Sequence, residues 1–78
     1  MLNQFVMVGK LLKIYDTKPK TILLSVEDHE YEIYILKECM PALLKAGEGA
    51  LVGVKGKVVI DTDLELKLFA GAVSILQQ

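Results

Sequence analysis

Residues 49–58 read GALVGVKGKV, and this stretch decides the fold class. Val52, Val54 and Val58 fall on alternate positions, with glycine or lysine between them. A period of two is typical of a β-strand that buries one face and exposes the other. The polar residues 61–63, Asp-Thr-Asp, then indicate a tight turn between two strands. The stretch therefore predicts a strand that continues into a hairpin.

The residues before this strand have a different period. Met40, Leu43 and Leu44 lie on one side of a short helix, because residues three and four apart share a helix face. Gly47 suits the left-handed residue that commonly ends a helix. Residues 37–46 are therefore predicted to form one short helix.

Two more strands precede the helix. Residues 21–27 and 31–35 alternate apolar and polar side chains, and the polar residues 28–30 between them predict a tight turn. The side chains expected to point inward are Ile22, Leu24, Val26, Tyr31, Ile33 and Ile35. Those expected on the opposite face of the second of these strands are Glu30, Glu32 and Tyr34.

The first strand, predicted over residues 2–14, is apolar on both faces. Phe5 and Met7 fall on one face, and Val6 and Val8 fall on the other. A strand of this kind is buried on both faces, or buried on one and paired with another chain. Since 53% of the residues are hydrophobic, more than a small barrel can hide, some apolar surface should face another subunit. We expect Phe5 and Met7 to form this oligomer interface; the alternative is that they stack on bases.

The order of elements is three strands, one helix and two strands. In a chain of 78 residues, five strands are best satisfied by closing the sheet, which removes exposed edges. We predict an all-β single domain over residues 1–78, a five-stranded OB-fold barrel whose helix, between strands 3 and 4, plugs the bottom. In the last two strands the inward side chains are expected to be Val52, Val54, Val58, Ile60, Leu64, Leu66, Leu68 and Ala70.

Composition limits the function. The net charge is −1, and all nine basic residues are lysines, so bidentate arginine readout of guanine is excluded. Cys39 is the single cysteine and His29 the single histidine, so neither a disulfide within the chain nor a metal site is expected. No motif places a nucleophile beside a base, and no apolar segment is long enough to span a membrane. We expect a cytoplasmic protein that is not an enzyme and holds no cofactor.

The sequence resembles bacterial single-stranded DNA-binding proteins along nearly its whole length. Residues 2–11, LNQFVMVGKL, are similar to the first strand of that family, and residues 49–58 are similar to its glycine-led fourth strand. The helix from Glu38 to Ala46 lies where the family has its helix. This chain has no tryptophan and short hairpin turns, and it stops at Gln78. The resemblance implies a minimal member without the acidic C-terminal tail.

The function implied by the resemblance is binding of single-stranded DNA without sequence specificity, by a homodimer or homotetramer. Lysines would neutralise phosphates, and exposed aromatic rings would stack on bases. The expected nucleic-acid-binding residues are Lys10, Lys13, Lys18, Lys20, Tyr34, Lys55, Lys57, Lys67 and Phe69. The alternatives are RNA as ligand, an ordinary solvated lysine surface, and an OB-fold interaction module that has lost nucleic-acid binding, which Glu30 and Glu32 beside Tyr34 would favour.

Overall fold

A computed structural model describes residues 3–78 of the chain. The predicted strand start at Leu2 lies outside the described residues. Five strands and one helical segment follow one another in the predicted order. The elements are β1 (Gln4–Tyr15), β2 (Thr21–Val26), β3 (His29–Ile35), a 3₁₀ turn (Lys37–Cys39) leading into α1 (Met40–Ala46), β4 (Leu51–Ile60) and β5 (Leu66–Gln77).

The strands close into a barrel in the order β1-β2-β3-β5-β4. The long strand β1 joins both sides, since its first half pairs with β4 and its second half with β2. A short parallel pairing between β3 and β5, from Ile33 opposite Leu68 to Ile35 opposite Ala70, closes the ring. The predicted fold class, a five-stranded barrel with a short helix between strands 3 and 4, is confirmed.

The core contains the residues that alternation placed inward on the middle strands. Ile22, Leu24 and Ile33 have no exposed surface, and Val52 and Val54 are buried with them. Met40 and Leu43 of α1 join the same cluster, so the helix covers part of the core. Leu44, predicted on the same helix face, is instead 58% exposed. The helix therefore contributes a narrower apolar face than its sequence suggested.

The orientation predicted for β1 is wrong. Phe5 and Met7 pack against the core, whereas Val6 is 74% exposed. Leu11 is completely buried, and odd-numbered residues earlier in the strand share its face because side chains alternate. Phe5 and Met7 therefore do not form the outward face expected of an interface; Val6 and Val8 occupy it.

The far end of the β4–β5 hairpin also departs from expectation. Ile60 and Leu66, which pair with each other, are 64% and 62% exposed, and Leu64 is 85% exposed. Pairing of β1 with β4 reaches only Gln4 opposite Lys57, so among the described residues no paired strand faces this end of the hairpin. The alternation of apolar residues therefore continues beyond the part of the hairpin that encloses the core.

Two glycines allow the barrel to bend. A Cβ at Gly56 would overlap the carbonyl oxygen of Phe69, and a Cβ at Gly9 would overlap that of Ser25. The pairing of β4 with β5 shifts register beside Gly56, as expected at a β-bulge. At both positions the neighbouring backbone comes closer than any side chain permits.

The turn between β2 and β3 is shorter than predicted. Val26 pairs with His29, so only Glu27 and Asp28 connect the strands, and His29 already belongs to β3.

Within residues 3–78, no helix has both the length and the apolar character needed to cross a bilayer.

Candidate nucleic-acid interface

A single cross-strand row brings aromatic and cationic side chains together on the outside of the barrel. Lys57 of β4 lies opposite Phe69 of β5, and Phe69 lies opposite Tyr34 of β3. Tyr34 in turn lies opposite Thr21, which is buried and lies opposite Tyr15. Positions directly opposite each other on neighbouring strands present side chains on the same face. The row therefore places Lys57 beside an aromatic pair that is distant in sequence.

Tyr34 and Phe69 form an aromatic platform. Their ring centroids are 4.9 Å apart, and the ring planes differ by 19°, which is a stacked arrangement. Phe69 is 41% exposed, and Tyr34 is half-buried. A stacked pair that keeps one ring accessible offers a π-surface to a third flat group. Both residues were predicted as stacking residues, and the structure places them in contact.

A groove of about 700 Å³ lies beside the platform. Its lining includes the small residues Gly71 and Ala72, whose size leaves room for a ligand. Lys55 and Lys57 are the cations among the lining residues, and none of these residues carries a carboxylate. The full lining consists of Gln4, Phe5, Val6, Pro19, Tyr34, Ile35, Leu36, Lys55, Gly56, Lys57, Phe69, Ala70, Gly71 and Ala72. The groove is thus largely apolar with a positive edge along β4.

The predicted lysines divide into those at the groove and those elsewhere. Lys55 and Lys57 line it and are exposed. Lys18 and Lys20 flank Pro19, which also lines the groove, and Lys20 is paired with Asp16. Lys10 and Lys13 lie on the second half of β1, opposite Ser25 and Leu23, and do not line the groove.

Lys67 has a different environment from the other predicted lysines. Its Nζ lies 2.8 Å from Oδ2 of Asp61 and 6.0 Å from the centroid of the Tyr34 ring. The hydrogen bond from Lys67 lowers the pKa of Asp61, and backbone amides of Glu65 and Asp63 lower it further. The same hydrogen bond raises the pKa of Lys67. The two side chains therefore remain a charged pair throughout the neutral pH range.

Glu30 and Glu32 are exposed on the outer face of β3, as predicted. They lie four and two positions before Tyr34 on the same strand, and neither lines the groove. Their charge can oppose phosphate beyond one end of the platform without entering the groove. Among the lining residues that were not predicted from the sequence, Gln4 is joined to the groove by its pairing with Lys57, and Leu36 directly follows Ile35 at the end of β3.

Cys39, the single cysteine of the sequence, is not activated as a nucleophile. Partial burial, with a smaller contribution from Glu38, raises the pKa of the Cys39 thiol, which is opposite to the activation a nucleophile needs. Within the part of the chain that the structure describes, no group of three or more histidine, cysteine or acidic side chains could hold a metal ion.

An apolar strip runs across the outer faces of β1, β4 and β5. A Cβ at Gly53 would lie 3.8 Å from methyl groups of both Val8 and Leu76, so these side chains flank Gly53. Val8 is 49% exposed, Leu76 is 52% exposed, and Val6 lies two positions before Val8 on the same face. We call Val6, Val8 and Leu76, with Gly53 between Val8 and Leu76, the apolar strip. Val6 also lines the groove, so the strip and the groove meet at this residue.

The fold of this chain has counterparts among solved structures. No protein-family model matches the sequence, and no curated protein matches it. The chain is similar in structure to the mitochondrial single-stranded DNA binding protein Rim1 of S. cerevisiae, with a TM-score of 0.81, 17% identity, and coverage of 99% of this chain and 96% of that chain. Another Rim1 structure gives a TM-score of 0.72 at 19% identity, with the same coverage.

A bacterial structure is similar as well. The N-terminal domain of PriB from Thermoanaerobacter tencongensis, described as dimeric, matches with a TM-score of 0.69 and 18% identity, over 97% of this chain and 98% of that chain. At such identities the similarity shows the fold alone. It confirms the fold that the sequence resemblance implied, the OB-fold found in single-stranded DNA-binding proteins.

Proposed function

We propose that this protein binds single-stranded DNA without sequence specificity in the groove beside the aromatic platform. The observation that carries the proposal is the stacked Tyr34–Phe69 pair, whose ring centroids are 4.9 Å apart, next to a groove with two lysines and no carboxylate. Proteins that bind single strands combine stacking surfaces with cations that follow the backbone. The fold shared with Rim1, which is described as binding single-stranded DNA, agrees with this function.

The chemistry of the groove suits any base. Stacking on a ring face requires only the π-surface that every base has, and each stacked base contributes about 1–3 kcal/mol. Lys55 and Lys57 supply positive charge for phosphates, and phosphate contacts carry no base information. With no arginine in the chain, the bidentate contact to guanine is not available. Binding is therefore expected to be insensitive to sequence and sensitive to salt.

The remaining lysines act at a distance from the groove. Lys18 lies beside the Pro19 side of the groove and can attract a strand that leaves it, whereas the charge of Lys20 is already paired with Asp16. Lys10 and Lys13 are exposed on the far half of β1 and can guide a strand that continues round the barrel. Glu30 and Glu32 oppose this attraction beyond the platform, which keeps affinity modest.

The protein is further proposed to be a homo-oligomer that assembles through the apolar strip. Val6, Val8 and Leu76 expose aliphatic surface on the outer faces of neighbouring strands, which in water favours burial against a second copy. The PriB domain, which shares the fold, is described as a dimer. As the proposed oligomer interface, the strip takes the place of Phe5 and Met7, whose side chains are directed to the core.

The second candidate function is an interaction module that has lost nucleic-acid binding. The apolar strip favours it, because exposed aliphatic side chains on neighbouring strands fit a protein partner better than a phosphate backbone. The net charge of −1 also gives no general attraction to nucleic acid. This candidate requires no contribution from Lys55 and Lys57.

Fluorescence anisotropy of labelled oligo-dT at low salt tests the proposal. The wild type should bind, and a variant with both Lys55→Gln and Lys57→Gln should bind more weakly with a flatter dependence on salt. Lys45→Gln, on an exposed position of α1 outside the groove, is the charge-matched control and should leave binding unchanged. Oligo-U measured in parallel distinguishes RNA as the preferred ligand. Absence of salt-dependent binding to either polymer would favour the interaction module.

Sedimentation tests the assembly separately. Val8→Glu, placed in the apolar strip, should shift the wild-type oligomer toward monomer, because a buried unpaired charge is costly in an interface. Val59→Glu is the matched control, since Val59 is 40% exposed but lies outside the strip. A wild type that sediments as a monomer at high concentration would contradict assembly through this strip.

A further inference from the structure

The carboxylate of Asp61 is held in one orientation by the hairpin turn. Its Oδ1 accepts hydrogen bonds from the backbone N–H of Asp63 at 2.9 Å and of Glu65 at 3.1 Å. This leaves Oδ2 directed at Nζ of Lys67, 2.8 Å away. Lys67 follows on β5, so one turn both forms the hairpin and directs a carboxylate to a specific ammonium.

The ammonium of Lys67 continues this chain of contacts to the aromatic platform. It lies 6.0 Å from the Tyr34 ring centroid, at the outer range of a cation–π interaction. Tyr34 then stacks on Phe69 with centroids 4.9 Å apart. A carboxylate, an ammonium and two rings thus lie next to one another in space, and they connect the hairpin turn to the platform.

We propose that Lys67 is a positioning residue for the Tyr34–Phe69 platform, held by Asp61, and that it does not contact phosphate. This inference rests on the proposed function, since it assigns roles within the same site. A phosphate that approached Lys67 would meet the Asp61 carboxylate 2.8 Å from the same ammonium. The negative charges of the phosphate and of the Asp61 carboxylate repel each other, so phosphate is directed to the exposed Lys55 and Lys57.

The consequence is a groove with two unlike sides. The β4 side presents Lys55 and Lys57, which have no carboxylate partner within ion-pair distance among residues 3–78. On the other side is the aromatic platform, and the paired Lys67 lies near Tyr34 outside the groove lining. A bound strand therefore places its phosphates along β4 and turns its bases toward Phe69 and Tyr34. Of the lysines predicted from the sequence, Lys67 is assigned a role other than phosphate binding.

The salt dependence of oligo-dT binding separates the two roles. Each phosphate neutralised by a lysine contributes a slope of roughly −0.7 on a log–log plot. Lys57→Gln should flatten the slope by about this amount. Lys67→Gln should weaken binding severalfold with the slope unchanged, because it disturbs the platform alone. A slope flattened equally by Lys67→Gln and Lys57→Gln would overturn the proposal.

Asp61→Asn provides the reciprocal test. Asparagine keeps an Oδ1 acceptor for the turn but removes the charge that holds Lys67. The released ammonium becomes available to phosphate, so the slope should steepen by about the contribution of one phosphate, roughly 0.7. An unchanged slope in Asp61→Asn would contradict the idea that Asp61 keeps Lys67 from phosphate.

A measurement without DNA separates this inference from the proposed function. The ring-proton NMR resonances of Tyr34 and Phe69 in the free protein should shift in Asp61→Asn and in Lys67→Gln, and should not shift in Lys45→Gln. If the wild type fails to bind oligo-dT while these resonances shift, the proposed function fails and the positioning role stands. If DNA binds but the resonances do not shift, the positioning role alone fails.

Discussion

Tyr34 stacks directly on Phe69 because β3 and β5, which are separated in sequence by the helix and β4, pair in parallel with these two residues opposite each other. The same parallel pairing closes the barrel. The platform is therefore part of the closure of the fold, and it exists before any ligand binds. A preformed stacking surface avoids the entropic cost of ordering side chains on binding.

The first prediction concerns this platform. Phe69→Leu keeps an apolar side chain but removes the π-face, so oligo-dT affinity should fall by about 1–3 kcal/mol. The salt dependence of binding should stay as in the wild type, because no charge changes. Anisotropy titrations at several salt concentrations measure both quantities. Unchanged affinity would show that the strand does not use Phe69.

The second prediction concerns the space beside the platform. Ala72 lines the groove and is exposed, so Ala72→Leu should fill part of the groove without disturbing the core. We expect at least a tenfold loss of oligo-dT affinity, equivalent to about 1.4 kcal/mol, with the thermal midpoint nearly unchanged. Ala42→Leu, on an exposed position of α1 outside the groove, is the matched control. Equal effects of the two variants would show that the groove is not the binding site.

The middle strands were predictable because their alternation is unambiguous. Ile33 lies between Glu32 and Tyr34, and the inward orientation predicted for it and for Ile22 and Leu24 is confirmed. On β1 both faces are apolar, so period alone could not choose between Phe5 and Val6. Leu11 is buried where β1 pairs with both β2 and β4, and Phe5 shares its face, so Phe5 and not Val6 faces the core.

The candidate site was predictable only in part. The outward orientation of Tyr34 and Phe69 follows from alternation, but their contact depends on a pairing between strands distant in sequence. The Asp61–Lys67 pair could not be predicted from a sequence motif either, because the hairpin turn orients the carboxylate. Residue types can therefore be predicted from sequence here, whereas their grouping requires the strand register.

The third prediction concerns the core and the overhanging end of the hairpin. Ile33 is completely buried, so Ile33→Ala should lower the free energy of unfolding by about 2–5 kcal/mol. Leu66 is 62% exposed, so Leu66→Ala should change it by less than about 0.5 kcal/mol. Urea denaturation of both variants measures the difference. A large loss in Leu66→Ala would mean that the hairpin end is covered, for example by a second copy.

The fourth prediction concerns two glycines of the same strand. Gly56→Ala should destabilise the protein by about 1–3 kcal/mol, because the added Cβ would overlap the backbone of Phe69. At Gly53 the atoms nearest to an added Cβ are 3.8 Å away, so Gly53→Ala should be neutral or stabilising by about 0.4–1 kcal/mol. Thermal unfolding of the two variants provides the comparison. Equal midpoints would show that the bulge beside Gly56 can relax around a methyl group.

The fifth prediction concerns the pH dependence of the Asp61–Lys67 pair. The pKa of Asp61 is lowered from its usual 3.8, chiefly by the hydrogen bond from Lys67, so the pair stabilises the fold above that value. This stabilisation is lost as the pH falls through the lowered pKa of Asp61. The pKa of Lys67 is raised from 10.5, so the contribution is complete below that value and is lost as the pH rises through the raised pKa. Between these limits it should be constant.

Asp61→Asn isolates this contribution. At about pH 7 the variant should be less stable than the wild type in urea denaturation, and this stability gap should narrow as the pH falls below 3.8 and through the lowered pKa of Asp61. Asp16→Asn is the matched control, since Asp16 pairs with Lys20 on a loop and is 70% exposed, where ion pairs contribute little. A stability difference for Asp61→Asn that persists unchanged at about pH 2 would assign the effect to the hydrogen bonds of the turn, and Lys67 would then have to be positioned by β5 alone.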